Sequence, residues 1–271
     1  MGIRERLHRA VDTLCTFKPI EDVDRRRFDA QFATGKGGNL YRGVFDTFEA
    51  AAATSPPTHP VGYDNQKAAS LYEDRTRRIY PPDYPVLFWL TRIIGEGCRR
   101  VFDVGGHIGV GYYAYQRYLA YPPEMTWTVC DVPAVVAQGR ALAKERDGLG
   151  QLHFTDRFEE CAGADVLLGI GSLQYLPESL AARLGRVKPL PRHVIANLLP
   201  LHPTESFFTL QSMGVAYCPY RVTADATFVG DVTALGYRLI DRWTNPDKEC
   251  RVAFDPEHSL DHYHGLYFRL D

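Results

Sequence analysis

Residues 101–109 read Val101-Phe-Asp-Val-Gly-Gly-His-Ile-Gly109, and this stretch decides the fold. Arg100–Val104 is a short apolar run that reads as a buried strand. It ends in glycines, and the pattern after Gly109 is helical to Tyr118. A strand that enters a glycine turn and leaves it as a helix is the ligand-binding corner of an open α/β sheet. Glycine there lets the backbone approach a ligand closely.

Downstream, strands and helices alternate. Thr126–Asp131, Gln151–Phe154, Asp165–Ile170 and His193–Leu198 read as strands; Pro133–Lys144 and Pro177–Leu184 read as helices. The alternation predicts an α/β chain with a Rossmann-like, doubly wound, mostly parallel sheet. Near the end, a helix over Asp225–Leu235 closes at Gly236. Two strands follow, Tyr237–Trp243 and Gly265–Leu270, which places an antiparallel strand at the C-terminal edge. Upstream, Ile3, Leu7, Val11 and Leu14 have helical spacing, residues 33–43 are Gly-rich and loop-like, and Phe45–Ala53 and Pro85–Ile94 read as helices. The expected division is a helical extension or cap over residues 1–95 and a Rossmann-like domain over residues 96–271.

Composition narrows the partners. There are 31 Lys plus Arg against 33 Asp plus Glu, a formal charge of −2, which argues against nucleic acid and for a small-molecule partner. Six cysteines stand at 15, 98, 130, 161, 218 and 250 with no CxxC pair, so neither a disulfide framework nor a zinc site is expected and no metal is assigned. A reducing, cytoplasmic setting follows. No apolar run reaches the roughly 18 residues of a membrane span. Arg4, Glu5 and Arg6 have no apolar core behind them, so no secretory signal is expected, and Arg6 breaks the myristoylation pattern. The sequence says nothing about oligomeric state.

Two cofactor classes compete for the turn. The dinucleotide fingerprint G-x-G-x-x-G fails, because position 107 is His. Asp131 ends the next strand 22 positions beyond Gly109, close to the offset at which a carboxylate meets ribose hydroxyls. That device serves any adenosine cofactor. A nicotinamide oxidoreductase or epimerase would add a Tyr-x-x-x-Lys pair after the fourth strand, but Tyr175 is followed at position 179 by Ser. A bland alternative also stands: the glycines only permit a tight turn, and the acids are solvated.

The spacing Asp103-x-Gly105-Gly106-x-x-Gly109 resembles motif I of class I S-adenosylmethionine-dependent methyltransferases. Three runs, DVGGHIGVGYYAYQRYL, WTVCDVPAVVAQGRALA and ADVLLGIGSLQYLPE, look like a group of uncharacterised bacterial methyltransferases that often accompany cell-surface polysaccharide genes. Tyr41–Ala50, Gly62–Asp64, Ser206–Gln211 and Tyr217–Arg221 are similar too, so the resemblance spans roughly residues 40–245. It implies S-adenosyl-L-methionine as cofactor and a small acceptor, a sugar or polysaccharide precursor by family context. It implies contacts from Asp103, Gly105, Gly106, His107 and Gly109, and from Asp131 with Val132. Asp156, Arg157 and Phe158 would lie where the adenine sits, with Phe158 free to stack on it. Gly171 and Ser172 would line the cofactor, with Gln174 and Tyr175 facing the methyl group or the substrate.

The general base is the open question. An oxygen nucleophile of high pKa needs one, whereas a soft or ionised nucleophile does not. His202 and Glu205, after the fifth strand, are the candidates, with His107 inside the turn. The alternative for His202 is a solvated loop residue, and without a base the chain reads as a non-catalytic cofactor-binding module. Tyr63 and Tyr72 either contact ligand or pack the extension. His258, His262 and His264 have spacing that could hold a metal, with inert surface histidines as the alternative.

Overall fold

The computed structural model describes residues 18–36, 38–64 and 73–270. The expected helix over residues 3–17 and Tyr72 lie outside them. The elements run α1 (Lys18–Thr34), β1 (Leu40–Phe45), α2 (Phe48–Ala53), α3 (Asp83–Gly95), β2 (Arg100–Val104), α4 (Val110–Tyr115), β3 (Thr126–Cys130), α5 (Pro133–Arg146), β4 (Leu152–Thr155) and β5 (Val166–Ile170). They continue with α6 (Leu180–Leu184), β6 (His193–Leu199), β7 (Leu201–His202), β8 (Phe207–Ser212), β9 (Tyr217–Ala224), α7 (Asp225–Thr233), β10 (Tyr237–Asn245) and β11 (Tyr263–Leu270). Short 3₁₀ turns occupy Phe158–Cys161 and Leu173–Tyr175.

Seven strands form the main sheet in the order β10-β11-β6-β5-β2-β3-β4. The pairs among β6, β5, β2, β3 and β4 are parallel; β11 runs antiparallel to both β6 and β10. This is the mostly parallel, doubly wound sheet that the alternating pattern predicts, and the antiparallel strand lies toward the C-terminal edge as expected. The chain moves outward from β2 to β3 and β4, then crosses to β5 on the other side. The switch point falls at the carboxyl ends of β2 and β5, where open α/β sheets bind ligands. Register aligns the ends: Val104 sits opposite Cys130 on one side and Gly169 on the other.

Both faces of this sheet are covered. Val101, Trp127, Val129, Val166 and Leu168 pack on one side with Leu90, Ile93 and Tyr112. Phe102, Val104, Leu167, Val194 and Phe268 pack on the other with Leu180, Leu184, Phe228 and Val232. Alternate residues of one strand enter opposite cores, which is why the strands read as continuous apolar runs. Each fully buried large side chain contributes about 1.5–3 kcal/mol relative to exposure. Local signals set the helix starts: Pro133 opens α5, and the Thr47 and Ser179 side chains accept from Ala50 and Ala182 N–H to cap α2 and α6.

A second, four-stranded sheet has the order β1-β8-β9-β7. β8 and β9 form an antiparallel hairpin, and β1 pairs antiparallel with β8, Leu40 opposite Ser212 and Tyr41 opposite Gln211. This corrects two expectations. Leu40–Gly43 are strand rather than loop, and Phe45 ends that strand rather than opening a helix, which starts at Phe48. The sheet takes β1 from one side of residue 95 and β7, β8 and β9 from the other. Among the described residues no helix is long and apolar enough to cross a membrane.

Candidate functional site

The turn after β2 is held from three sides. Gly105 N–H donates to Cys130 O at 2.8 Å, tying the turn to β3. Gly105, His107 and Gly109 have φ of +70°, +57° and +89°, the left-handed region. A Cβ on Gly105 would overlap Ser172, one on Gly106 would overlap the Asp103 carboxylate, and one on Gly109 would meet Leu152 at 2.8 Å. His107 holds the left-handed conformation without being glycine, and histidine is among the residues that enter it more readily. Its backbone N–H donates to Asp131 Oδ2 at 3.0 Å, and its ring lies 6.1 Å from that of Tyr63, edge-on.

The two acids play different parts. Asp103 is 2% exposed and accepts from Trp127 Nε1 at 3.2 Å beneath the turn. Burial raises its pKa to about 7; the Trp127 hydrogen bond opposes this and Asp131 adds to it. Asp131 is half-buried at the end of β3. Its Oδ1 accepts from Val132 N–H at 2.8 Å and its Oδ2 from His107 N–H at 3.0 Å. Burial raises it to about 6, against those two backbone donors, and Asp64 raises it further. Each carboxylate oxygen has more than one lone pair, so acceptor capacity remains for ligand hydroxyls.

Gly171 and Ser172 complete the opposite wall. Gly171 has φ +66° and donates its N–H to Asn197 O at 2.9 Å; Ser172 Oγ donates to Val104 O, bridging β5 to β2. Val132 packs with Ile108 and Val135 at the start of α5. The structure therefore brings Asp103, Gly105, Gly106, His107, Gly109, Asp131, Val132, Gly171 and Ser172 to one corner.

Asp156, Arg157 and Phe158 follow Thr155, whose carbonyl accepts from Asp131 N–H at 3.1 Å beside the corner. Asp156 and Arg157 are exposed, and the Arg157 guanidinium pairs with Glu160. Phe158 is turned inward by the 3₁₀ turn, buried edge-on to Phe102 at 6.3 Å with the Arg183 guanidinium 5.2 Å from its ring centroid. It has no ring face to offer a ligand, which corrects the stacking role. Gln174 is buried and lines a cavity of about 30 Å³ with Ser179, Leu199, Arg221 and Thr223. That volume suits about one water. Tyr175 instead heads a hydrogen-bonded chain. Its hydroxyl donates to Gln211 Oε1 at 2.8 Å, Gln211 Nε2 donates to the Tyr41 hydroxyl at 3.1 Å, and Tyr41 meets Tyr263, to which Tyr220 also donates. Burial pushes Tyr41, Tyr220 and Tyr263 well above the ordinary phenol range, so these hydroxyls keep their protons.

The base candidates are committed elsewhere. His202 Nδ1 accepts from Glu205 N–H at 3.0 Å and Thr204 N–H at 3.3 Å, and Nε2 lies 3.0 Å from Glu257 O. Two backbone donors at Nδ1 fix the proton on Nε2, which donates to that carbonyl. Both ring nitrogens of His202 thus have backbone partners, and the residue shapes the turn after β7. Glu205 is exposed and 3.3 Å from His258 Nε2, whose other ring nitrogen lies 2.8 Å from Asp255. These partners raise the His258 pKa, the Asp255 hydrogen bond most. His262 and His264 have ring centroids 4.8 Å apart, and no group of His, Cys, Asp and Glu able to hold a metal is found among the described residues. Sequence reasoning missed Tyr41, Tyr220 and Tyr263 as a connected group; the family resemblance marked the segments of Tyr41 and Tyr220 but not that of Tyr263.

Among solved structures, LepI in complex with SAM superposes with a TM-score of 0.50 at 13% identity, over 83% of this chain and 55% of LepI. The 1,6-didemethyltoxoflavin-N1-methyltransferase of Burkholderia thailandensis, with bound 1,6-didemethyltoxoflavin and S-adenosylhomocysteine, gives 0.47 at 16% identity over 76% of this chain and 83% of that one. Magnesium protoporphyrin IX methyltransferase from Synechocystis PCC 6803, with bound SAM, gives 0.44 at 15% identity over 69% and 77%. No family model and no curated protein matches the chain. At these identities the likeness shows the fold alone, and of these three it is LepI, at a TM-score of 0.50, that carries it.

Proposed function

We propose that this chain is an S-adenosylmethionine-dependent methyltransferase acting on a small molecule, with a sugar or polysaccharide precursor as the acceptor class that the resemblance implies. One observation carries the reading: the left-handed glycine turn and the Asp131 carboxylate meet at the switch point, joined through His107 N–H. The residues fit the cofactor. Asp131 retains acceptor capacity for two ribose hydroxyls, Val132 offers an apolar lip beside it, and the Gly105–Gly109 backbone admits close approach. Gly171 and Ser172 line the facing wall.

When bound, S-adenosylmethionine supplies a methyl group already activated on a sulfonium. The protein's task is then to hold an acceptor in line behind it. Tyr175, oriented by Gln211, stands on the acceptor side. The second sheet and the segment before residue 95 act as the cap that closes this side and excludes water. Because His202 is committed, the site suits a nucleophile that needs no side-chain base. A reducing cytoplasmic setting accompanies this reading, since all five described cysteines are free and buried.

The committed His202 nitrogens also favour a second reading, a cofactor-binding module without turnover. Incubation with methyl-labelled S-adenosylmethionine and a panel of free and nucleotide-linked sugars separates the two. Acceptor-dependent formation of S-adenosylhomocysteine is the expected result. Cofactor that binds but is never consumed across the panel would point to the binding module.

A further inference from the structure

Residues 60–64 cross the corner as a strap fixed at both ends. At one end Gly62 N–H donates to Tyr217 O at 2.8 Å, Tyr217 N–H donates to Pro60 O at 2.9 Å, and Val61 bridges Tyr217 in parallel. At the other, Asp64 Oδ1 accepts from Ala134 N–H at 2.9 Å in the first turn of α5. Between these anchors the half-buried Tyr63 ring packs with Ile108, Val132 and Val135. Its centroid lies 6.1 Å from His107, edge-on, and 6.5 Å from Tyr175, tilted by 39°.

His107 belongs to the glycine turn and Tyr175 to the loop after β5. The ring therefore spans the two walls of the corner, directly beside Asp131 and Val132. We infer that Tyr63 is a cofactor-contacting residue, the roof of the adenosine site, which the second sheet delivers through the strap. This rests on the reading of the corner as an S-adenosylmethionine site.

The physical case has two parts. Packing against Ile108 and Val135 would be served equally by leucine, so what tyrosine adds is a π-face beside the place where a purine or a sulfonium would lie. The anchors are main-chain hydrogen bonds at Gly62 and a side-chain cap at Asp64, each one residue from Tyr63. The ring is thus ordered before ligand arrives, and binding does not have to bear the entropy of ordering it.

Calorimetric titration with S-adenosylhomocysteine tests the assignment on wild type, Tyr63→Leu, Tyr63→Phe and Tyr118→Leu. Tyr118 is 56% exposed beyond the far end of α4 and serves as the control. Tyr63→Leu keeps the apolar bulk and the fold, to be verified by its thermal unfolding. It is expected to weaken binding at least about fivefold, in the range of one lost stacking contact. Tyr63→Phe keeps the ring and is expected to stay within about twofold of wild type, with Tyr118→Leu unchanged. Wild-type affinity in a folded Tyr63→Leu protein overturns the inference. So does tighter binding, which would mean that the ring occupies the ligand's place rather than lining it. Failure of wild type itself to bind overturns the cofactor reading, and this inference with it.

Discussion

The two sheets differ in how much polar side chain they bury at their centres. In the seven-stranded sheet Val166, Leu167, Leu168, Val194 and Ile195 are all fully buried, and the strands interlock by apolar packing on both faces. The four-stranded sheet buries Thr209, Gln211 and Ser212 beside Tyr41, Tyr217 and Tyr220, and the Thr209 and Ser212 hydroxyls have no hydrogen-bond partner among the described residues. A buried unsatisfied polar group costs about 1–3 kcal/mol. The first sheet is therefore a scaffold whose stability follows from composition. The second depends on a few directed hydrogen bonds, among them the one from the Tyr175 hydroxyl to Gln211 Oε1 at 2.8 Å. On the proposed reading, stability resides in one sheet and selectivity in the other.

Variants can break or sharpen this contrast. The largest effect is expected at Trp127, which is fully buried in the main sheet and hydrogen-bonds Asp103. Trp127→Ala should lower the unfolding free energy by about 3–5 kcal/mol, read from urea midpoints. A loss below about 1 kcal/mol would mean that the core repacks freely.

Next comes Asp103. Its folded pKa, about 7, stands above the unfolded value, so folding favours the protonated carboxyl. That contribution is fully present below about pH 4 and is lost as pH rises through about 7. Buried His193 and half-buried His264, both held down to about 4, act in the opposite sense over part of this range, so the difference curve is the informative one. Wild-type stability minus that of Asp103→Asn should fall by about 2–4 kcal/mol between pH 4 and pH 8. A flat difference would contradict the burial argument.

In the second sheet, Tyr220→Phe removes the donor to Tyr263 and should cost about 1 kcal/mol while leaving S-adenosylhomocysteine affinity unchanged. An affinity change as large as that of a turn variant would erase the division of labour. The smallest effect on binding is expected for His202→Ala. Loss of its turn hydrogen bonds should cost about 1–2 kcal/mol of stability. Cofactor affinity should stay within about twofold, and any methyl transfer should keep its rate; a large loss of rate at unchanged affinity would support His202 as a base.

The same contrast explains what could be read from the sequence. Strands β2, β3, β5 and β6 announce themselves because both faces are apolar, and the turn because Gly105 and Gly109 need left-handed φ. Asp131 is legible because its offset from the turn is fixed by one helix and one strand. β1 is not, because Tyr41 pairs with Gln211, 170 positions away, and Gly43 in the middle disguises the strand. Phe158 and His202 were placed at the right ends of their strands, but which way a side chain turns there is set by one 3₁₀ turn and by two backbone N–H groups that no local pattern reveals.

The central claim is that Gly105–Gly109 and Asp131 form a cofactor site, and calorimetric titration with S-adenosylhomocysteine at pH 7.5, with NAD in parallel, tests it most directly. The account predicts micromolar binding of S-adenosylhomocysteine alone, weakened at least about tenfold in Asp131→Ala and falling in wild type as pH drops below about 6, where the carboxylate takes up its proton. No binding, or binding of NAD in its place, would contradict it.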